Sequence, residues 1–206
     1  ERSTENAWFI LGDYYVQRDN YDAACDAFER AVAATPRPAP NTRLAYADTL
    51  IQAKRYEEAE KATALVEQEH LQQLLKGRIR LENGDPQGAL DLFAAGIRLW
   101  PNHAGARFLS GQAAEQLGDF DRAISEYRES VRADAAATGA GLFLARILAE
   151  TGANEAAMVA LRRHMNAHPR DPAAHLLAFR LPLRKGNEKM AKRALHQLSQ
   201  LPGYAG

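Results

Sequence analysis

Three histidines in the last quarter of the chain are the first candidates for a metal site. His164 and His168 lie four residues apart, a spacing that places both rings on one face of a helix. A metal ion requires a further ligand, and His175 is a distant candidate. Histidines in such an arrangement serve surface or packing roles more often than ligation. We therefore predict a structural role and no metal site.

The sequence lacks the residue patterns that other kinds of catalysis require. The sequence contains no nucleophile elbow, glycine-rich phosphate loop, paired-cysteine zinc motif or dinucleotide fingerprint. The adjacent acids Glu57 and Glu58 diverge on a helix, so they indicate solvated surface. The single cysteine, Cys25, excludes an internal disulfide and is expected to act as a small buried hydrophobe. We predict no catalytic residues, no cofactor and no enzymatic activity.

Composition and charge exclude several classes of protein. The 206 residues are 46% hydrophobic and 25% charged, which argues against disorder. No run approaches the ~18 consecutive apolar residues of a membrane-spanning helix, so no membrane insertion is predicted. The net charge is zero, but residues 1–103 carry −4 and residues 104–206 carry +4. This asymmetry is too weak for a nucleic-acid surface; it either biases the direction of a bound charged peptide or reflects drift in surface charge.

A small residue recurs along the chain at a nearly constant interval. The successive gaps are 35, 30, 34, 34 and 34 residues between Ala24, Ala59, Ala89, Ala123, Ala157 and Ala191. A period near 34 indicates stacked pairs of helices, in which each pair contacts only its neighbours. Such an array has a long shared surface, which suits partner binding better than catalysis.

Apolar residues spaced three and four apart predict two antiparallel helices in each period. A glycine followed by Asp recurs between them, as at Gly84-Asp85 and Gly118-Asp119; the glycine can end one helix and the aspartate can cap the next. No segment alternates long enough to predict a strand. The predicted helices cover residues 5–18, 21–34, 41–53, 56–69, 71–82, 86–99, 104–117, 120–133, 138–151, 154–167, 172–185 and 188–201.

The first period resembles the tetratricopeptide repeat family at every signature position. The matching residues are Trp8, Leu11, Gly12 and Tyr15 on the first helix, Ala24, Phe28 and Ala31 on the second, and the closing Pro36. Later periods resemble the family through smaller sets, such as Gly77 with Phe93 and Gly111 with Tyr127. The glycine and alanine positions must be small because the two helices of a pair cross closely there.

The resemblance implies an all-α fold, a right-handed α-solenoid superhelix of about six helix-turn-helix repeats. It implies a single array over residues 1–206, with repeats at about 5–38, 40–69, 70–103, 104–137, 138–171 and 172–205. Two departures from the pattern are expected to change the local structure. The 30-residue gap after Ala59 predicts a shortened second helix or connection in repeat two, and Pro182 predicts a kink or break in the first helix of repeat six.

In this family the first helix of each repeat lines the concave surface, so the resemblance places a partner-binding groove there. Three rows of residues are expected to face inward. They contain Asp13, Asp48, Arg78, Gln112, Arg146 and Arg180; then Phe9, Leu44, Leu74, Phe108, Leu142 and Leu176; then Val16, Ile51, Leu81, Glu115, Ala149 and Leu183, with Arg184 beside the last. Such a groove is apolar with charged positions, which suits an extended peptide or an amphipathic helix. Alternatively, the leucines at 142, 176 and 183 pack between helices, and the two aspartates pair with neighbouring arginines.

The leading hypothesis is a non-catalytic interaction scaffold whose concave groove binds a peptide or helix of a partner protein. A second is the recognition or regulatory arm of a larger multidomain enzyme such as a transferase, since a chain that opens on Glu is interpreted as a fragment or mature segment. A third is self-assembly through end-to-end or groove contacts. The excess of Arg over Lys favours a GC-rich bacterial genome. The compartment, cytoplasmic or periplasmic, stays open.

Overall fold

A computed structural model describes residues 2–184 and 186–200 of the chain. Over those residues the secondary structure is helical, without a β-strand, so the predicted all-α fold is confirmed. None of the described helices is long and apolar enough to span a membrane. The helices are α1 (Arg2–Val16), α2 (Tyr21–Ala33), α3 (Pro40–Gln52), α4 (Tyr56–Thr63), α5 (Glu69–Glu82), α6 (Pro86–Leu99), α7 (Ala104–Gln116), α8 (Phe120–Ala133), α9 (Ala140–Glu150), α10 (Asn154–Ala167), α11 (Pro172–Arg184) and α12 (Glu188–Ser199).

The chain divides into two compact units, Glu1–Pro101 with α1 to α6 and Asn102–Gly206 with α7 to α12. In each unit the helices pack as successive pairs, and the second helix of one pair also contacts the first helix of the next. Because a single pair cannot cover its own apolar face, these neighbour contacts bury the core of each unit.

Small residues allow the two helices of a pair to cross closely. The six periodic alanines are at most 1% exposed. A Cβ atom on Gly12 would lie 2.7 Å from Cε1 of Phe28, and one on Gly111 would lie 2.5 Å from Cε1 of Tyr127. Both distances are far below van der Waals contact, so the predicted need for a small residue at the crossing is confirmed.

The predicted turn chemistry is present at the starts of the second helices. The side chains of Asp85, Asp119 and Asn187 each accept a backbone N–H three residues later, at 2.9, 3.1 and 3.1 Å. The glycine before each of them has φ between 70° and 78°, a conformation that favours glycine. In contrast, α10 follows Ala153 and begins without a side-chain cap.

The start of α3 is stabilised by a residue of the preceding helix pair. Its N-cap residue, Ala39, has no capping side chain. Glu5 on α1 is only 6% exposed, and its Oε1 accepts the backbone N–H of Ala39 and the hydroxyl of Thr42, both at 2.7 Å. Because a buried carboxylate is costly without such partners, this contact links the first two repeats specifically.

The two expected departures have different outcomes. The shortened helix of repeat two is confirmed, because α4 has 8 residues and ends at Thr63. Of the kink or break predicted at Pro182, the break is wrong, since α11 continues to Arg184, and the kink stays a prediction. Pro182 lies in the last turn, where it removes only the hydrogen bond to Ala178, and its own carbonyl accepts the backbone N–H of Asn187 at 2.9 Å. Positions 185 and 201–205, which the predicted last repeat includes, lie outside the described residues.

Candidate functional site

A groove between α9 and α11, the first helices of the last two repeats, is the candidate site. Its volume is about 360 Å³. The predicted groove residues Arg146, Arg180 and Arg184 line it together with Leu142 and Leu176 of the predicted apolar row. The other lining residues are Phe143, Ala149, Glu150, Ala173, Leu177 and Leu181.

The floor of this groove is apolar and is backed by an aromatic cluster. Phe143 from α9 and Leu176 from α11 both contribute, and Leu176 is 37% exposed. The ring centroid of Phe143 lies 5.2 Å from that of Phe108 and 5.7 Å from that of Tyr127. Aromatic packing at these distances fixes the ring orientation, so the floor has a defined shape before any partner binds.

Arg146 is oriented at the edge of the groove by two contacts. Its guanidinium donates to Glu115 on α7 and lies 4.7 Å from the centroid of the Phe143 ring. The other carboxylate oxygen of Glu115 accepts the phenol O–H of Tyr127 at 2.8 Å. Burial and this hydrogen bond raise the pKa of Tyr127. The carboxylate of Glu115 therefore binds Tyr127 and Arg146 of its own chain and is not free to bind a partner, as its predicted place in the groove would require. The guanidinium of Arg146 is held in place before a partner binds.

Arg180 and Arg184 lie on α11 and line the same groove. Both are exposed, and within residues 2–184 and 186–200 neither has an ion-pair partner. The one acidic residue of the lining is Glu150. A guanidinium binds a carboxylate through parallel hydrogen bonds, so these two side chains favour a ligand that carries carboxylates.

In the first unit, the predicted acidic positions are occupied by internal contacts. Asp48 on α3 forms an ion pair with Arg78 on α5 and accepts the side-chain amide of Gln52 at 2.9 Å. Burial lowers the pKa of Arg78. Asp13 is exposed and accepts the side-chain amide of Gln17 at 2.7 Å. The alternative that an aspartate pairs with a neighbouring arginine is therefore confirmed for Asp48.

The remaining predicted lining residues differ in exposure: most are half-buried, some are buried and Leu183 is exposed. The half-buried ones are Phe9, Val16, Leu44, Leu74, Phe108 and Gln112. Ile51 and Leu81 are only 3% and 7% exposed, so they offer a partner little surface, contrary to the open lining expected of them. Ile51 packs in a core cluster that includes Leu50 and Leu75. Leu183 is 44% exposed and lies outside the α9/α11 groove.

The three histidines contact protein groups that account for their positions. His164 is 3% exposed, and its Nε2 lies 2.7 Å from Oδ2 of Asp171. Nε2 of His168 and of His175 each contact a backbone carbonyl oxygen, at 3.2 and 2.9 Å. Burial raises the pKa of Asp171, but hydrogen bonds from His164 and from the backbone of α11 outweigh it, so the net direction is down. Among the described residues no cluster of three or more His, Cys, Asp or Glu side chains could hold a metal ion.

Four apolar lining residues were missed from the sequence, namely Phe143, Ala173, Leu177 and Leu181. Phe143, Leu177 and Leu181 each directly follow a residue of the predicted rows. Consecutive residues of a helix lie about 100° apart, so a groove wide enough to touch both needs more than one stripe. If the residue after each row position had also been predicted to line the groove, these three residues would have been included.

Comparison with solved structures confirms the fold. A chain of the APC/C hetero-tetramer Cut9-Hcn1 aligns with 95% of this chain at a TM-score of 0.72 and 16% identity, and this chain spans 39% of its length. PilF from Pseudomonas aeruginosa aligns with 98% of this chain and 96% of its own, at 0.69 and 19% identity. YrrB, a tetratricopeptide repeat protein with an unusual peptide-binding site, aligns with 81% of this chain and 88% of its own, at 0.52 and 16% identity. At these identities the likeness shows the fold alone.

Comparison with protein families gives a consistent result across the chain. No curated protein sequence matches it. Three family models described as tetratricopeptide repeat match residues 5–38, 74–139 and 114–181. Together these spans cover more than two thirds of the chain and include helix pairs in both units. The chain is therefore a member of the tetratricopeptide repeat family.

Proposed function

We propose that this chain is a non-catalytic scaffold whose α9/α11 groove binds a peptide or helix of a partner protein. The observation that carries the proposal is an apolar floor edged by Arg180 and Arg184, which have no counter-ion in the part of the chain that is described. Family membership supports a protein-interaction role in general. The peptide-binding site of YrrB supports a peptide as one form of ligand for this fold.

The chemistry of the groove selects the kind of partner segment. Its floor favours the binding of large apolar side chains, because side chains that are buried in a pocket away from water supply most of the affinity of an interface. Its arginines attract Asp, Glu or a terminal carboxylate, since complementary charge supplies specificity and a faster association rate. The second unit carries 14 basic and 10 acidic side chains, which adds a weaker attraction of the same sign.

A selected peptide and a charge reversal test this function. A phage-displayed random library panned on the chain is expected to yield segments that combine apolar and acidic residues. The double variant Arg180→Glu with Arg184→Glu should bind them at least about tenfold more weakly, because attraction becomes repulsion. Both side chains are exposed, so the fold should be retained. Arg170→Glu, an exposed arginine outside the groove, is the matched control. Equal binding by the double variant and the control would refute the assignment.

Two further roles have one supporting observation each. The chain spans 39% of the APC/C chain that it resembles, so an arm of a longer protein is a second candidate, tested by the parent open reading frame. Ile10 and Tyr14 on α1 are 61% and 46% exposed, which favours self-assembly through that helix. Light scattering over a concentration series tests the latter. The single array of six repeats over residues 1–206 is likewise a proposal.

A further inference from the structure

A second groove of the same unit lies between the second helices α8 and α10. Its volume is about 580 Å³, and it shares no lining residue with the α9/α11 groove. Leu144 and Leu148 lie at its base, at 6% and 5% exposed, while Val159 projects from α10 with 66% of its surface exposed. Val159 lines the groove together with these leucines, so the exposed side chain belongs to one apolar patch, and such a patch marks an interaction surface.

Positive charge surrounds this apolar groove. Arg132 is neutralised by Glu129, through a hydrogen bond of 3.0 Å from its Nε. Arg163 donates to the backbone carbonyl of Val131 at 3.2 Å, which holds its position without cancelling its charge. Arg128 is exposed, and over the described ranges neither it nor Arg163 forms an ion pair. Two guanidinium groups are thus left to attract carboxylates.

The floor of the groove favours a helix over an extended peptide. An extended segment needs partners for its own N–H and C=O groups, and the apolar side chains of this floor offer none. A helix satisfies these groups internally and presents side chains alone. Ala156 and Ala160 lie one turn apart on α10 and line the groove, so they would let a helix approach closely.

We propose that the α8/α10 groove binds an amphipathic α-helix of a partner protein. The apolar side chains of that helix contact Val159 and the floor of the groove, and its Asp or Glu side chains face Arg128 and Arg163. This surface goes beyond the α9/α11 groove and does not depend on it. A chain with both surfaces holds two partner segments at once, which brings two proteins together.

A designed helix provides the test. The probe is a labelled peptide of about 15 residues, long enough to form a helix, with leucines along one face and glutamates beside them. Fluorescence anisotropy should detect binding to the whole chain. Val159→Glu should weaken binding at least about tenfold by placing a carboxylate against the leucines. Because Val159 is largely exposed, the variant should retain its fold, which circular dichroism checks.

A charge swap separates this site from nonspecific attraction. The double variant Arg128→Glu with Arg163→Glu should bind a lysine version of the peptide, in which lysines replace the glutamates, more tightly than it binds the glutamate peptide. The chain without these two substitutions should prefer the glutamate peptide. Because the α9/α11 groove also suits a peptide with leucines and glutamates, every protein in this test carries Arg180→Glu with Arg184→Glu, which removes the attraction of that groove for the probe. Failure here is then distinguishable from failure of the α9/α11 groove. No binding, binding unaffected by Val159→Glu, or the same peptide order in both proteins would overturn the proposal. A dimer of the chain that Val159→Glu dissolves would assign the groove to a second copy and overturn it as well.

Discussion

At the residue scale, glycines of the first helices leave space for aromatic rings of the second helices. A Cβ atom at position 111 would lie 2.5 Å from the ring of Tyr127, which is fully buried and cannot move aside. Gly111→Ala should therefore lower the free energy of unfolding by roughly 1–3 kcal/mol, exceeding the ~1 kcal/mol that alanine adds to a helix interior. Urea denaturation measures the change. Gly139→Ala is the control, since its Cβ meets nothing nearer than 3.7 Å. Equal stability of both variants would contradict the close crossing.

Also at this scale, the buried Cys25 makes stability depend on alkaline pH. Burial raises the pKa of its thiol from 9.0 to about 11. Above pH 9 the unfolded chain ionises the thiol and the folded chain does not, so stability present below pH 9 is lost as the pH rises to about 11. Over this range the unfolding free energy of Cys25→Ala should fall less than that of the unaltered chain, as measured by denaturation at each pH. Parallel pH profiles would show that the thiol is not buried.

At the element scale, α10 lacks the cap that starts the second helix in most other repeats. Ala153 has φ −77° and ψ 54°, close to the −83° and 76° of the capping Asp119. Ala153→Asp should therefore add about 0.5–2 kcal/mol, because its carboxylate can accept a free N–H of the first turn. Thermal unfolding measures the gain. Ala153→Glu is the matched control, having the same charge on a longer side chain. A gain as large in the control would mean that charge alone is responsible.

Helix boundaries could be predicted from the sequence where they depend on residues next to the boundary. Asp85 and Asp119 cap helices that start at the next residue, and the glycines before them take a conformation that few other residues adopt. The cap of α3 was missed, because Glu5 reaches it from 34 residues earlier in the chain. Pro182 was judged by its type, whereas its position in the last turn of α11 decides its effect.

At the scale of the whole molecule, the period of the alanines predicted the fold, but it did not predict every residue on its surfaces. Ile51 and Leu81 share their row with the exposed Leu183, yet both are buried. The period places such residues at equivalent positions of the first helices, but contacts with neighbouring helices decide which of them are covered, as for Ile51 in its core cluster. The contact between Glu115 and Arg146, which lie 31 residues apart, escaped prediction for the same reason.

The proposed function requires a partner segment to lie in the α9/α11 groove. A library-selected peptide that carries a photoreactive benzoyl group, cross-linked to the chain and mapped by mass spectrometry, tests this most directly. The account predicts adducts on α9 and α11, near Leu142 and Leu176, and their loss in the Arg180→Glu, Arg184→Glu variant. Adducts confined to the first unit or to the α8/α10 groove, with no loss in that variant, would contradict it.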